Sequence, residues 1–386
     1  MPQGIWGSFF LRYFFSTGEA SGELNAVLLA RAIETHDAQA QFEGIGAERM
    51  RGARFKLWRD HTGWASMGPL AAIPRIPPLL ATMWRTALYL AAEKPELIVL
   101  VDFGAFNMRL AKTLRMRLKY AGPIMYLFPP ATWLDKEGVA RAVGAMTVPV
   151  TAFAHQYEFY KSHRLPIMFF GHPLAGQYAL RPAQPAPPPD GGTIALLPGS
   201  RAGELKYHVP ALLSALKILR VARPRLRAVF GAAGAQGERA IARAIKRARV
   251  ENVTIAHGVA AAIADADAAF VASGTAVLET VLAGVPSIAL YIVNPIVVGY
   301  GRRMQKKIFK ARFITLPNLV LERELVPELL QDDATPEALA AAMEAVLLDP
   351  SQQYEQFAEV RERLGPPGAL DDCARFAVAL AKAGHR

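Results

Sequence analysis

Thr193-Ile194-Ala195-Leu196-Leu197-Pro198-Gly199-Ser200-Arg201 is the stretch on which the fold turns. Its first five residues carry no charge and stop at Pro-Gly, so 193–197 reads as a strand buried on both faces, as in a parallel sheet. A helical pattern follows from about Glu204 to Val221. The alternation continues outward. Leu226 to Phe230 predicts a strand, Gln236 to Arg249 a helix, Val253 to Ile255 a short strand, and Ala268 to Ala272 a strand that runs into Ser273-Gly274-Thr275. A helix to about Leu282 and a last clear strand from Ser287 to Ile292 complete the half. Strands alternating with helices of this length imply βαβ units in a parallel sheet.

The first half follows the same logic. Tyr13-Phe14-Phe15 predicts a strand, Thr17-Gly18-Glu19-Ala20-Ser21-Gly22 a loop, and Glu23 to about Thr35 a helix. Leu97 to Val101 is a continuous apolar run ending at Asp102, and Pro123 to Phe128 looks like another strand. Between the halves, Arg181 to Gly192 holds five prolines in twelve residues, which no element interior tolerates. The expected organisation is an N-terminal Rossmann-like domain over 12–180, a Pro-rich linker over 181–192, a C-terminal Rossmann-like domain over 193–350, and C-terminal helices over 351–386. Two doubly wound α/β domains with a hinge place ligands in an inter-domain cleft, at the carboxyl ends of the strands.

Composition excludes several classes. The 386 residues include one cysteine, Cys373, so there is no internal disulfide framework and no Cys-rich zinc site. The hydrophobic share of 52% excludes a disordered chain. The net charge of +11 suits a polyanionic partner without choosing among nucleic acid, an acidic membrane face and phosphorylated substrates. The apolar Ile5 to Leu11 precedes the first basic residue, Arg12, the reverse of a secretory signal. Thr280 to Gly301 is uncharged, but Gly284, Pro286, Asn294 and Pro295 interrupt it, so a helix end, turns and a buried strand read better than a membrane span. Gly-x-Gly-x-x-Gly, the Gly-Lys-Ser/Thr phosphate loop and Gly-x-Ser-x-Gly are all missing. The eight histidines do not cluster at metal spacing, and His172 before Pro173 reads as a turn residue.

Four loops at strand ends can carry chemistry. Ser273-Gly274-Thr275 opens a helix whose free N–H groups suit an anion, with Ser273 or Thr275 as its cap, and Glu279 one turn on can accept from two vicinal hydroxyls, as on a ribose. Gly199, Ser200 and Arg201 offer close backbone approach and a planar donor fork for a diphosphate. Asp102 stands at a strand end, where a carboxylate can act as a general base. Glu19 and Ser21 can touch a sugar. Each also reads as ordinary structure: a capped helix with a solvated Glu, a turn with a surface Arg, an N-cap Asp.

Two stretches suit a membrane surface. Trp64 to Leu90 is apolar and aromatic, with Arg75 and Arg85 as its only charges; a buried helix pair is the alternative. Gly301 to Arg312 holds six Lys and Arg, which suits anionic lipid, a solvated helix face or, less well, RNA.

Taken together, Ser16 to Glu23, Asp102 with Phe106-Asn107, Phe170-Gly171-His172-Pro173-Leu174, Leu196 to Arg201, Ser273 to Glu279 and Leu316-Pro317-Asn318-Leu319 resemble lipid-A-disaccharide synthase over about residues 12 to 345. The resemblance implies a GT-B type enzyme that joins UDP-2,3-diacylglucosamine to 2,3-diacylglucosamine 1-phosphate through a β-1,6 linkage, with inversion, releasing UDP. It implies Asp102 as the base. It also implies Gly199, Ser200, Arg201, Ser273, Gly274, Thr275, Glu279 and Asn318 around the donor, and Glu19, Ser21 and Asn107 in the sugar and acceptor region. No metal, cofactor or nucleic acid is implied, and the location would be cytoplasmic, peripheral on the inner membrane. Alternatives are a related UDP-sugar glycosyltransferase with another acceptor, or a UDP-N-acetylglucosamine 2-epimerase. The sequence departs from the family's pattern mainly in its first half. Trp133 is the one tryptophan of Phe128 to Lys136, Ala105 replaces an acidic residue, Ala154-His155-Gln156 replaces Pro-Phe-Glu, and Gly176 replaces an aspartate. Residues 1–11 have no counterpart.

Overall fold

The computed structural model describes residues 10–62, 64, 76–130, 136–292 and 313–384. The chain forms two compact units, Met1–Gly176 with Gly365–Arg386, and Gln177–Leu364. The last 22 residues therefore belong to the first unit and not to a separate C-terminal segment.

In the first unit the strands are β1 Arg12–Ser16, β2 Gln41–Gly46, β3 Lys56–Asp60, β4 Leu97–Val101, β5 Ile124–Leu127, β6 Val148–Thr151 and β7 Met168–Phe169. The helices are α1 Ala20–His36, α2 Glu48–Gly52, α3 Ile76–Glu93, α4 Gly104–Lys112, α5 Glu137–Met146 and α6 Ala154–Ser162. Among the described residues the strands make one sheet of order β3-β2-β1-β4-β5-β6-β7, with every pair parallel. β4 lies at its centre with all five side chains buried, which its uninterrupted Leu-Ile-Val-Leu-Val run requires. β3 forms an edge, and Lys56, Arg59 and Asp60 keep it charged and exposed.

The second unit holds β8 Thr193–Leu197, β9 Arg227–Ala232, β10 Val253–His257, β11 Ala268–Ala272, β12 Ser287–Tyr291 and β13 Glu328–Leu330. Its helices are α7 Ala202–Ala222, α8 Gly234–Ala248, α9 Gly258–Ile263, α10 Thr275–Leu282, α11 Leu316–Leu321, α12 Pro336–Leu348 and α13 Ser351–Arg363. The sheet order is β10-β9-β8-β11-β12-β13, again parallel throughout. Both units are thus doubly wound α/β folds, as the alternation of apolar runs and helical patterns predicts.

The Pro-rich segment packs within the second unit. Arg223, 1% exposed, holds Glu344 of α12 by two bonds of 2.8 and 2.9 Å and donates to the carbonyls of Pro188 and Gly191. Arg181 donates to the carbonyls of Ile263 and Ala266.

The last helix, α14 Ala369–Gly384, closes the first unit. Its buried stripe of Cys373, Ala374, Ala377, Val378 and Ala381 packs into the core that β1 and α1 supply. Small side chains let the two helices approach closely. No helix among the described residues is long and apolar enough to cross a membrane. Gly301–Arg312, and the 65–75 and 131–135 parts of the stretches singled out above, lie outside the described residues.

Candidate active site

In a doubly wound sheet the strand order reverses at one point, and the loops at the carboxyl ends of the two strands there diverge and leave a crevice. In the first unit that point lies between β1 and β4, where Ser16 is opposite Leu100. It brings Thr17-Gly18-Glu19 beside Asp102-Phe103. Asp102 is exposed, and its backbone is left-handed (φ 49°), as is that of Phe103 (φ 48°). Two consecutive non-glycine residues in that region cost about 1–2 kcal/mol each, so the surroundings must impose the turn.

The hydrogen bonds that impose it are visible. The Asp102 carbonyl accepts from the Asn107 amide at 2.8 Å and from the Tyr126 hydroxyl at 3.0 Å, and its N–H donates to the Leu127 carbonyl. Burial, with the Asp102 charge second, holds the Tyr126 hydroxyl well above its ordinary pKa, so it remains a donor. Asn107 is fully buried. Its Oδ1 accepts from Ser16 Oγ at 2.7 Å and its Nδ2 also faces the Ser16 and Val101 carbonyls. Asn107 thus stitches the ends of β1 and β4 together, a role in the fold and not a side chain presented to a sugar. Glu19 is the N-cap residue of α1 in extended backbone, and Ser21, part-exposed, lies in the first turn.

The second unit reverses between β8 and β11, where Leu197 is opposite Val271. Pro198 to Arg201 therefore lies beside Ser273 to Thr275. Gly199 is left-handed (φ 96°), and a Cβ there would sit 2.3 Å from Glu204 Oε2. Buried Glu204 accepts from the backbone N–H groups of Ser200 and Arg201 and from the Arg201 guanidinium at 2.7 Å. Both the N–H groups and the guanidinium are thus engaged by Glu204, while the Arg201 side chain stays 34% exposed.

The start of α10 is different. Its N-cap is Gly274, not Ser273 or Thr275, and no side chain caps it. Gly274 has φ 158° and ψ −161°, a conformation essentially reserved for glycine, and a Cβ there would enter open space. Of the first-turn N–H groups, that of Val277 donates to the Gly274 carbonyl at 3.2 Å. Glu279, on the same helix, is buried at 6% exposure.

Asn318, in α11, is also fully buried. Its Nδ2 donates to the Val326 carbonyl and Glu328, and its Oδ1 accepts from the N–H groups of Leu325 and Val326, at 2.8–2.9 Å. A carboxamide has no further capacity. Asn318 pins the segment leading to β13, and its side chain is not available to a diphosphate.

An open depression of about 550 Å³, lined by Gln184 to Pro188 with Arg225, Arg227, Asp265 and Asp267, lies at the opposite, amino-terminal ends of β8, β9 and β11. It is far from the loops above along the strands.

Residues 13–366 match the family model described as lipid-A-disaccharide synthetase. The chain belongs to this family. It is 32% identical to the lipid-A-disaccharide synthase of Pseudomonas aeruginosa (strain UCBPP-PA14), over 92% of this chain and 94% of that one. It is 32% identical to that of Myxococcus xanthus (strain DK1622), over 97% and 98%. Among solved structures it is similar to the UDP-GlcNAc 2-epimerase from Neisseria meningitidis bound to UDP-GlcNAc (TM-score 0.60, 12% identity, covering 96% of this chain and 100% of that one). It is also similar to the glycotransferase of kitacinnamycin (TM-score 0.58, 13% identity, 96% and 98%). At those identities the structures share the fold alone. As a member of the lipid-A-disaccharide synthase family, the protein is a glycosyltransferase of lipid A biosynthesis.

Within this family member, sequence reasoning gave no role to the polar residues Glu204, His208 and Glu23 behind the loops, and read His172 only as a turn residue. Glu204 stands three residues after the N-cap, a capping-box position that could have flagged it. His208, fully buried, bonds the Pro198 carbonyl through Nδ1 at 2.8 Å and accepts from the Ile292 N–H through Nε2 at 2.9 Å. That pairing fixes the neutral ring with its proton on Nδ1, and burial lowers its pKa. His172 also has its ring buried. Its Nδ1 accepts from the Leu174 N–H, and burial pushes its pKa down to about 3. Glu23 accepts from the N–H groups of Ala47 and Met50 at the start of α2. No local signal marks His208.

Proposed function

We propose that the chain transfers 2,3-diacylglucosamine from its UDP derivative to the 6-hydroxyl of 2,3-diacylglucosamine 1-phosphate. The observation that carries this reading is Asp102, exposed at the switch point on a turn that Asn107, Tyr126 and Leu127 hold in a strained conformation. Strain kept at such a place is a mark of function. The Asp102 carboxylate takes the acceptor hydroxyl proton as that oxygen bonds to the donor C1. The C1–O bond to the diphosphate breaks on the opposite face, its electron pair leaves with UDP, and the anomeric centre inverts.

Arg201 and the uncapped start of α10 stabilise the departing diphosphate, a role that needs no metal. Gly274 lets the diphosphate approach the backbone, and Glu279 holds the ribose. Gly199 and Ser200 shape the loop that carries Arg201, and Glu19 and Ser21 line the sugar side. Asn107 and Asn318 act by position. The protein works on the cytoplasmic face of the inner membrane. α3 supports this, because Ile76, Leu80, Trp84 and Leu88 recur every fourth residue and are 40–47% exposed. Such a stripe suits acyl chains.

The test is mass spectrometry of products after incubation with both lipid substrates in detergent. A tetraacyl disaccharide 1-phosphate and UDP are expected. Asp102→Asn should lower turnover by about 10²–10⁴-fold with UDP affinity unchanged. UDP bound without disaccharide formed would point to another acceptor, and a chelator that stops turnover would overturn the metal-free step.

A further inference from the structure

The hydrogen bonds around Asp102 fix its peptide, and the carbonyl of Phe103, in the same left-handed backbone, accepts from the N–H groups of Phe106 and Asn107 at 3.1 Å; the Phe103 side chain is held by rings. On one side its ring lies against Gly18, where a Cβ would fall 2.2–2.5 Å from three ring carbons. On the other it meets Phe106 at 5.6 Å and Trp64 at 6.2 Å between centroids, with interplanar angles of 28° and 29°, both stacked. Trp64 also meets Phe106 at 5.4 Å, and its backbone is tied by an N–H bond to the His61 carbonyl. Moving the Asp102–Phe103 turn out of the left-handed region would pull Phe103 off both Gly18 and Trp64. Trp64 is not part of either switch-point loop. It follows the edge strand β3 and opens the apolar stretch that runs to Leu90.

We propose that Trp64 is a positioning residue for Asp102, acting through the stacked Trp64–Phe103–Phe106 cluster. The inference rests on the reading of Asp102 as the base. The ring that backs the turn thus belongs to the same stretch that meets acyl chains, so the lipid-facing segment and the reacting carboxylate share one packed cluster. The Asn107 and Tyr126 side chains bond the Asp102 carbonyl and the Phe106 and Asn107 N–H groups bond the Phe103 carbonyl, so these bonds hold the backbone and none of them holds the Phe103 ring.

The experiment is a kinetic double-mutant cycle of Trp64→Ala and Asp102→Asn, with Trp64→Phe and Trp64→Leu alongside. Trp64→Ala should lower kcat by about tenfold to a hundredfold, the size a misplaced catalytic group produces, with the KM for acceptor and the Kd for UDP nearly unchanged. Trp64→Phe should recover most of kcat. In the Asp102→Asn background the Trp64 effect should shrink to about twofold or less. A raised KM with kcat intact would make Trp64 only an acceptor contact, and an equal loss in both backgrounds would show that it does not act through Asp102; either overturns the proposal. Asp102→Asn alone reports on the base itself: full turnover there removes that reading, independently of what Trp64 does. If Trp64→Ala lacks a cooperative unfolding transition, Trp64→Leu, which keeps apolar volume without the ring, carries the same expectations.

Discussion

At the scale of single residues, the same side chain type serves two purposes that sequence cannot separate. Asn107 and Asn318 stand in motifs that resemble a ligand shell, yet both amides are spent on backbone and side-chain groups of their own unit. Asn318→Ala leaves the Leu325 and Val326 N–H groups without their acceptor and takes one donor from Glu328, which keeps those of Ile314 and Thr315. It should cost about 2 kcal/mol or more of stability, read as a shift in a urea unfolding midpoint. If Asn318 instead touched the diphosphate alone, UDP affinity would fall with stability intact. Gly18 is a second case. Adding one methyl there drives it into the Phe103 ring, so Gly18→Ala should lower stability by roughly 1–3 kcal/mol and slow transfer more than it weakens UDP binding. Asp102 was legible as a residue at a strand end. Its left-handed backbone was not, because neither Asp102 nor Phe103 is a glycine that would announce such a turn.

At the scale of elements, legibility followed burial. β4, β8 and β11 match their apolar runs residue for residue, since central parallel strands are covered on both faces. β2, β3, β6, β7 and β13 were not read; β6 is largely buried but only four residues long with Pro149 inside it, and β7 has two residues. Glu43, Lys56, Arg59 and Glu328 break any run, because strands toward a sheet edge must keep polar groups in water. The donor loop shows how a helix can brace a site from behind. His208 on α7 bonds both Pro198 at the loop and Ile292 just past β12. His208→Ala should therefore weaken UDP binding, measured by titration, although the ring lies in the core; unchanged affinity would mean that Glu204 alone holds the loop. On α3 the opposite holds. Leu80, Trp84 and Leu88 are well exposed, so changing all three to Ser should leave the melting temperature nearly unchanged and reduce sedimentation with phospholipid vesicles.

At the scale of the whole molecule, acid should be the weak side. The buried imidazole of His172 takes a proton only near pH 3, whereas in the unfolded chain it does so near 6.5. Between those values the unfolded chain binds more protons, so stability falls as pH drops and is unaffected above the window. The loss is about 1.4 kcal/mol per pH unit below 6.5, and His208, lowered by burial too, adds in the same direction. Thermal melts at pH 7.5 and 5 should differ markedly, and His172→Gln should narrow the difference. The two-unit organisation was legible from the Pro-rich seam. That α14 returns to the first unit was not, because its alanine-rich stripe does not say which partner it fits. This return has a consequence for synthesis. The chain leaves the first unit after Gly176 and re-enters it at Gly365, so the whole second unit is an insertion within the first. A ribosome delivers all of Gln177–Leu364 before the helix that covers α1 exists. The second unit can complete itself as it emerges, while the first must wait with an apolar face uncovered until α14 has been made.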